Sequence, residues 1–239
     1  MSGIVFIISA PSGSGKTTLT NELRRIVPNL EFSISYTTRA PRGSEQNGRE
    51  YFFVSRAEFQ KMIARGEFLE HAEVFGNYYG TARRFLADAT AKGKDLLLDI
   101  DVQGAMQITQ AMTDAVSIFV LPPSREALEW RLRHRSQAEG GQTEETIERR
   151  LRMAAKEIEN YANYRYIVVN DQLEQSTDEL KAIVISERLR RGSRDSVSAD
   201  EMSEIQRLAE RNRLENAKER IRGILASFNV GQGPTASAV

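Results

Sequence analysis

The sequence predicts an α/β protein built on a mainly parallel sheet with helices on both faces. Three observations carry that expectation. Short apolar runs at 4–9, 95–100, 116–121 and 166–169 have the length and unbroken apolar character of strands buried on both sides. Stretches with apolar residues three or four apart separate them, as in repeated strand-helix units. The 239 residues, 40% hydrophobic and 28% charged, form an ordinary globular composition with enough apolar surface for a sizeable core.

Residues 4–9 form the first strand, too brief for a helix and stopped by Pro11 and Gly13. A helix follows over 17–26, with Leu19, Leu23 and Ile26 on one side. In residues 31–56 the period changes. Phe32, Ile34 and Tyr36 alternate with polar neighbours, and Tyr51 to Val54 follow a polar stretch, so short antiparallel strands are expected. Ser55, with Glu58 three residues on, reads as a capping box for a helix over 59–63 that stops near Gly66. A polar turn at 76–80 precedes a helix over 84–91. The strands at 95–100 and 116–121 flank a helix over 104–112, and Pro122 and Pro123 end the second. Ser124 caps a helix over 124–135, and a loop bearing Gly140 and Gly141 leads into a long helix over 143–161. The last strand, 166–169, is followed by a helix over 178–189. Beyond it the linker RRGSRDSVSAD precedes one amphipathic helix over 199–228, and GQGPTASAV closes as a disordered tail.

Thirty-three basic side chains against 33 acidic ones give a formal charge of zero, which argues against a globally basic nucleic-acid binder. No apolar run approaches the roughly 20 residues of a bilayer-spanning helix, and no basic region precedes the first apolar run. A cytoplasmic protein with neither nucleic acid nor membrane as partner is expected. The absence of cysteine removes disulfides, thiolate metal sites and cysteine nucleophiles, and two histidines, His71 and His134, are too few for a histidine metal cluster. Of the 33 basic residues 26 are Arg, which suits bidentate recognition of phosphate or carboxylate.

The segment APSGSGKTT runs through Ala10, Pro11, Ser12, Gly13, Ser14, Gly15, Lys16, Thr17 and Thr18, between the first strand and the first helix, where a phosphate loop must sit. Glycines 13 and 15 let backbone N–H groups turn inward. Lys16 can reach β- and γ-phosphate oxygens, the Thr17 hydroxyl can ligate Mg²⁺, and the helix N-terminus adds its partial positive charge. Ala10 stands where the general pattern has its first glycine. The run LLLDID places Asp99 and Asp101 two apart on one face at the carboxyl end of a strand, where ligands bind in open α/β sheets. One carboxylate could hold Mg²⁺ through water while the other meets a substrate; either could instead cap the following helix.

A phosphate loop alone does not separate an ATPase, a GTPase and a kinase. The segments SISYTTRAPRGSEQNGREYFFVS, EFLEHAEVFGNYYGT and LLLDIDVQG do, because together with the loop they resemble a bacterial guanylate kinase over about residues 4–189. Bacterial members of that family open the loop with Ala, as Ala10 does here. The resemblance implies the P-loop nucleoside-monophosphate kinase fold: a mainly parallel five-stranded core sheet, a small mixed-sheet GMP-binding part and a helical lid. The corresponding division is a kinase domain over 2–189, with core 2–32, 82–124 and 155–189, GMP-binding part 33–81 and lid 125–154. A linker and helical extension over 190–230 and a tail over 231–239 follow.

The resemblance further implies transfer of the γ-phosphoryl of ATP to GMP with Mg²⁺. Arg39, Arg42, Tyr51 and Tyr79 would hold the GMP phosphate, and two guanidiniums three apart with phenols nearby make a clamp for a dianion. Ser35, Glu70, Thr81 and Asp101 would read the guanine, since a carboxylate can accept from both the N1–H and the 2-amino group, a pair adenine does not offer. In the lid, Arg131, Arg135 and Arg150 would converge on the ATP phosphates, with Lys16, Arg39, Arg135 and Arg150 neutralising charge during transfer and Thr17 and Asp99 serving the metal. Asn170 resembles the family's segment near the adenine.

Two other readings stay open on the sequence. A non-catalytic guanylate-kinase-like interaction module should show a degraded phosphate loop, against the intact Gly13, Gly15, Lys16 and Thr17. A P-loop kinase with another acceptor would differ in its substrate alone. A GTPase should carry a base-reading Asn-Lys-x-Asp segment, which is absent. A monomer or homodimer is expected, the C-terminal helix being a candidate for self-association.

Overall fold

Val5–Ser9 is buried at every position, and its β-branched and aromatic side chains leave no polar stripe for a surface helix, so the segment is a central strand, β1. The computed structural model describes residues 3–138, 143–192 and 198–230 of the chain. After β1 come α1 (Lys16–Ile26), β2 (Leu30–Phe32), β3 (Tyr36–Thr37), β4 (Phe52–Phe53), α2 (Arg56–Ala64), β5 (Phe68–Val74), β6 (Asn77–Ala82) and α3 (Arg83–Ala91). Next are β7 (Asp95–Asp99), α4 (Val102–Ala111), β8 (Val116–Leu121), α5 (Arg125–Ala138), α6 (Glu144–Ile158), a 3₁₀ turn (Glu159–Asn163), β9 (Tyr166–Val169), α7 (Leu173–Arg190), α8 (Ala199–Asn212) and α9 (Leu214–Ser227). The strands form a five-stranded sheet in the order β2-β7-β1-β8-β9 and a four-stranded sheet in the order β4-β3-β6-β5.

The chain divides into two compact units, Met1–Ser9 with Thr20–Ile118 and Ala10–Leu19 with Phe119–Val239. In the first, β1 and β2 each pair parallel with β7, whose Leu96, Leu97 and Leu98 are buried on both faces. The four-stranded sheet of this unit has unlike faces. Phe59 and Met62 of α2 pack with Phe68, and partly buried Tyr36 and Tyr78 join them, so one face is an aromatic core. The other face is polar and belongs to the candidate site.

In the second unit, α7 is buried nearly all round, because α8 packs along it and its remaining side lies toward β9. The C-terminal extension is fastened to β9. Leu214 donates its N–H to the Arg165 carbonyl at 3.0 Å, Arg213 makes an antiparallel bridge with Tyr166, and the Arg220 guanidinium donates to the Ile167 carbonyl. Two buried acids lie beneath it. Glu187 accepts from the Tyr166 hydroxyl at 2.5 Å and pairs with Arg165, Arg190 and Arg213; Glu179 pairs with Arg211. Burial and then the Glu187 carboxylate push the Tyr166 phenol well above its usual range.

Several local expectations differ. The turn expected at 76–80 is confined to Phe75 and Gly76, both at positive φ, and Asn77–Ala82 is a strand paired antiparallel with β5. Residues 31–56 are not a set of antiparallel strands: β3 and β4 run parallel, and β2 joins the other sheet. The Ser55 hydroxyl accepts the Glu58 N–H, whereas the Glu58 carboxylate pairs with Arg65, so a reciprocal box is found instead at Ser198 and Glu201. The helix expected from 178 begins at Leu173. The single C-terminal helix is two, broken where Arg213 turns extended (ψ 140°) to meet Tyr166. The Gly140–Gly141 loop and the tail at 231–239 lie outside the described residues.

Candidate active site

The polar face of the four-stranded sheet follows from its registers. Residues directly opposite in a pair share a face, and alternation places i and i+2 together. Glu70 stands opposite Thr81, Ala72 opposite Tyr79, Tyr79 opposite Thr37 and Thr37 opposite Phe53. Ser35 and Tyr51 continue the same alternation. Glu70 reaches this face only because the register shifts between Phe68 and Glu70, a bulge that turns Phe68 into the aromatic core and the carboxylate away from it.

On this face Glu70 is 3% exposed, and the Thr81 hydroxyl is fully buried with no hydrogen-bond partner. A buried hydroxyl left unpaired costs about 1–3 kcal/mol. Ser35 is buried beside them, its carbonyl taken by the Phe52 N–H. The phenols of Tyr51 and Tyr79 meet edge to face at 6.0 Å, and the Arg39 guanidinium lies 5.3 Å from the Tyr51 ring.

Arg39 is held on several sides. Its guanidinium donates to the Ala40 carbonyl at 2.7 Å and pairs with Glu45 at 2.9 Å, and its N–H donates to the Thr37 hydroxyl. Burial weighs against its charge, but Glu45 and Tyr79 outweigh it and the guanidinium titrates above its ordinary value. The Arg42 N–H donates to the Glu45 carboxylate as well, while the Arg42 side chain is exposed. Glu45 therefore joins the two arginines, and sequence reasoning missed it. The signal was an acid six residues after Arg39 across a turn closed by Gly43 at φ +50°.

Asp101 ends the strand-to-helix connection as the cap of α4, its Oδ1 accepting the N–H groups of Gln103 at 2.7 Å and Gly104 at 3.1 Å. The helix-capping alternative thus holds for that oxygen. Asp99, at the end of β7, accepts the Thr20 hydroxyl at 3.3 Å. The backbone of His71 is bonded both ways to the Gln107 amide.

In the second unit the phosphate loop has the conformation its glycines require. Gly13 and Gly15 sit at φ +95° and +86°, where a side chain would strain the backbone. The loop closes on itself through the Ser14 N–H to the Pro11 carbonyl at 3.1 Å. Ala10 and Pro11 are buried, Lys16 opens α1 half-buried, and Thr17 and Thr18 are exposed. The Ser14 hydroxyl is buried without a hydrogen-bond partner.

Three side chains converge on this loop. The Asn170 amide donates to the Ser14 carbonyl at 2.7 Å, Arg131 donates to the same carbonyl and, at 2.8 Å, to the Asn170 carbonyl, and Arg150 donates to the Ser12 hydroxyl at 2.8 Å. Burial holds the Arg131 guanidinium below its usual value, with Asp171 opposing. Arg135 lies on α5, its side chain outside what is described. Among the described residues no group of three or more His, Cys, Asp or Glu is placed to hold a metal ion, and no helix is long and apolar enough to cross a membrane. Thr17, exposed in the first turn of α1, carries a hydroxyl oxygen, and Asp99, at the end of β7, carries a carboxylate; each by itself is a hard oxygen donor of the class Mg²⁺ takes.

The guanylate kinase family model matches residues 3–187. A guanylate kinase of Koribacter versatilis is 57% identical over 98% of this chain and 99% of its own, a match that runs through the C-terminal extension. That of Escherichia coli K12 is 49% identical over 79% of this chain and 90% of its own. The crystal structure of guanylate kinase from Anaplasma phagocytophilum covers 79% of this chain and 87% of its own, with a TM-score of 0.66 at 39% identity.

Proposed function

Because this chain belongs to the guanylate kinase family, ATP:GMP phosphotransferases, we propose that it divides the work between an acceptor set at 33–81 with Asp101 and a donor set of the phosphate loop with α5 and α6. The observation that carries this reading is the pairing of a buried Glu70 carboxylate with a buried, unpartnered Thr81 hydroxyl on one polar sheet face. Glu70 accepts from the guanine N1–H and 2-amino group, while Thr81, Ser35 and the Asp101 Oδ2 complete the base contacts. Arg39, Arg42, Tyr51 and Tyr79 hold the GMP phosphate.

On the donor side the inward N–H groups of residues 13–17 and the Lys16 ammonium take the ATP phosphates, with Arg131, Arg135 and Arg150 as further cations. Arg131 and Asn170 also act on the Ser14 carbonyl, so part of their task is to hold the loop's shape. The acceptor is already an anionic phosphate and needs no strong base. Catalysis rests on in-line placement and charge neutralisation by Lys16, Arg39, Arg135 and Arg150. Thr17 and Asp99 each offer an oxygen to Mg²⁺, which when bound neutralises phosphate charge.

A cytoplasmic enzyme acting as a monomer or homodimer fits this reading, with the extension engaged on its own α7 and β9. A coupled assay with GMP, AMP, UMP and dTMP tests it: turnover is expected with GMP alone, and equal turnover with AMP would overturn it.

A further inference from the structure

Gly104 lies in the first turn of α4, buried, with a backbone conformation any residue adopts. Glycine inside a helix is less stable than alanine, so its place here calls for another reason. The reason lies on β5. A side-chain carbon at position 104 would overlap the Glu70 Oε2 oxygen and stand 2.8 Å from the carboxylate carbon. The backbones on either side are held in place. Glu70 is in the β5–β6 ladder opposite Thr81, and α4 is fastened to β5 by the two bonds between Gln107 and the backbone of His71.

We propose that Gly104 is a specificity-determining position: its missing side chain makes the space that seats the Glu70 carboxylate against the first turn of α4, beside Asp101, in the pose that reads guanine. This rests on Glu70 being the guanine reader. The two acids are drawn together by the helix. Asp101 takes the Gly104 N–H, and the positive end of α4 offsets the second carboxylate lying over the same residue. A methyl group at 104 would meet the movable end of a side chain rather than a backbone. The fold would therefore survive, and the carboxylate alone would move.

The test compares Gly104→Ala, Glu70→Gln and the double variant Gly104→Ala with Glu70→Asp in the full chain. kcat/KM is measured for GMP and for IMP, which lacks the 2-amino group, together with KM for ATP and the Tm. Gly104→Ala is expected to lower kcat/KM for GMP at least tenfold, mainly through KM, and to narrow the GMP/IMP ratio, with Tm and KM for ATP unchanged. The double variant, whose acid is one methylene shorter, is expected to widen that ratio again relative to Gly104→Ala. An unchanged ratio in Gly104→Ala, while Glu70→Gln narrows it, would overturn the role of Gly104 and leave the guanine reading intact. An unchanged ratio in Glu70→Gln would overturn both. A lowered Tm in Gly104→Ala without recovery in the double variant assigns the loss to packing and also overturns it.

Discussion

The Asn170 amide donates to the Ser14 carbonyl at 2.7 Å, tying the residue that follows β9 to the middle of the phosphate loop. The contact is so close that a side-chain carbon on Gly15 would collide with that amide. Asn170→Ala removes a buried donor, worth about 1–3 kcal/mol, and leaves the carbonyl to Arg131. KM for ATP is expected to rise roughly tenfold, since about 1.4 kcal/mol is one decade, with KM for GMP unchanged. Steady-state titration of each substrate checks this.

Lys16→Met keeps the length of the side chain and removes its charge. If Lys16 stabilises the transferring phosphoryl, kcat falls by at least roughly 100-fold. GMP binding measured by calorimetry is expected to be unchanged. Wild-type turnover would refute the assignment of the loop.

Glu45 pairs with Arg39 and accepts the Arg42 N–H. Glu45→Ala releases both, and a hydrogen bond to a charged group is worth about 1.5–3 kcal/mol. KM for GMP should rise roughly tenfold with KM for ATP constant, read from initial rates at saturating ATP.

Truncation after Arg191 removes Ile221, Ile224 and Phe228, all buried in the extension. At about 1.5–3 kcal/mol for each, their loss consumes a large share of a typical domain's 5–15 kcal/mol. The shortened chain is expected to melt at least about 10 °C lower or to be insoluble. An unchanged Tm would show the extension to be dispensable.

Burial, opposed by Arg220 and Arg211, raises the Glu179 pKa above its ordinary value. The unfolded chain therefore ionises first as pH rises, and the folded state loses stability from about pH 4.5 upward until the raised value is passed. Glu179→Gln lacks this slope. The Tm difference, variant minus wild type, is expected to grow as pH increases through that window.

The segments legible in the sequence were those whose pattern had one cause. The β1 run, the glycine loop and the start of α1 follow from β-branched burial and positive φ, and β7, β8 and β9 from unbroken apolar runs. The β5–β6 hairpin was hidden because its site face must be polar and the bulge before Glu70 breaks the alternation that marks a strand. The break between α8 and α9 carries no glycine or proline; it is set by the distant Tyr166. Among the residues proposed for the site, those in dense motifs such as Lys16 and Arg39 stand out in the sequence. Glu45 and Gly104 act on other side chains, and their roles emerge only from distances.

The extension also settles how the larger sheet ends. β9 is its last strand, and a bare outer strand offers unpaired amides and carbonyls on which a foreign chain can add itself. Here the Arg165 carbonyl and the Ile167 carbonyl are taken by Leu214 and Arg220, and the chain that takes them bends at once into a helix with no free edge of its own. The molecule covers this edge of its sheet with its own last helices, so that the backbone groups engaged along β9 are no longer a template for another strand.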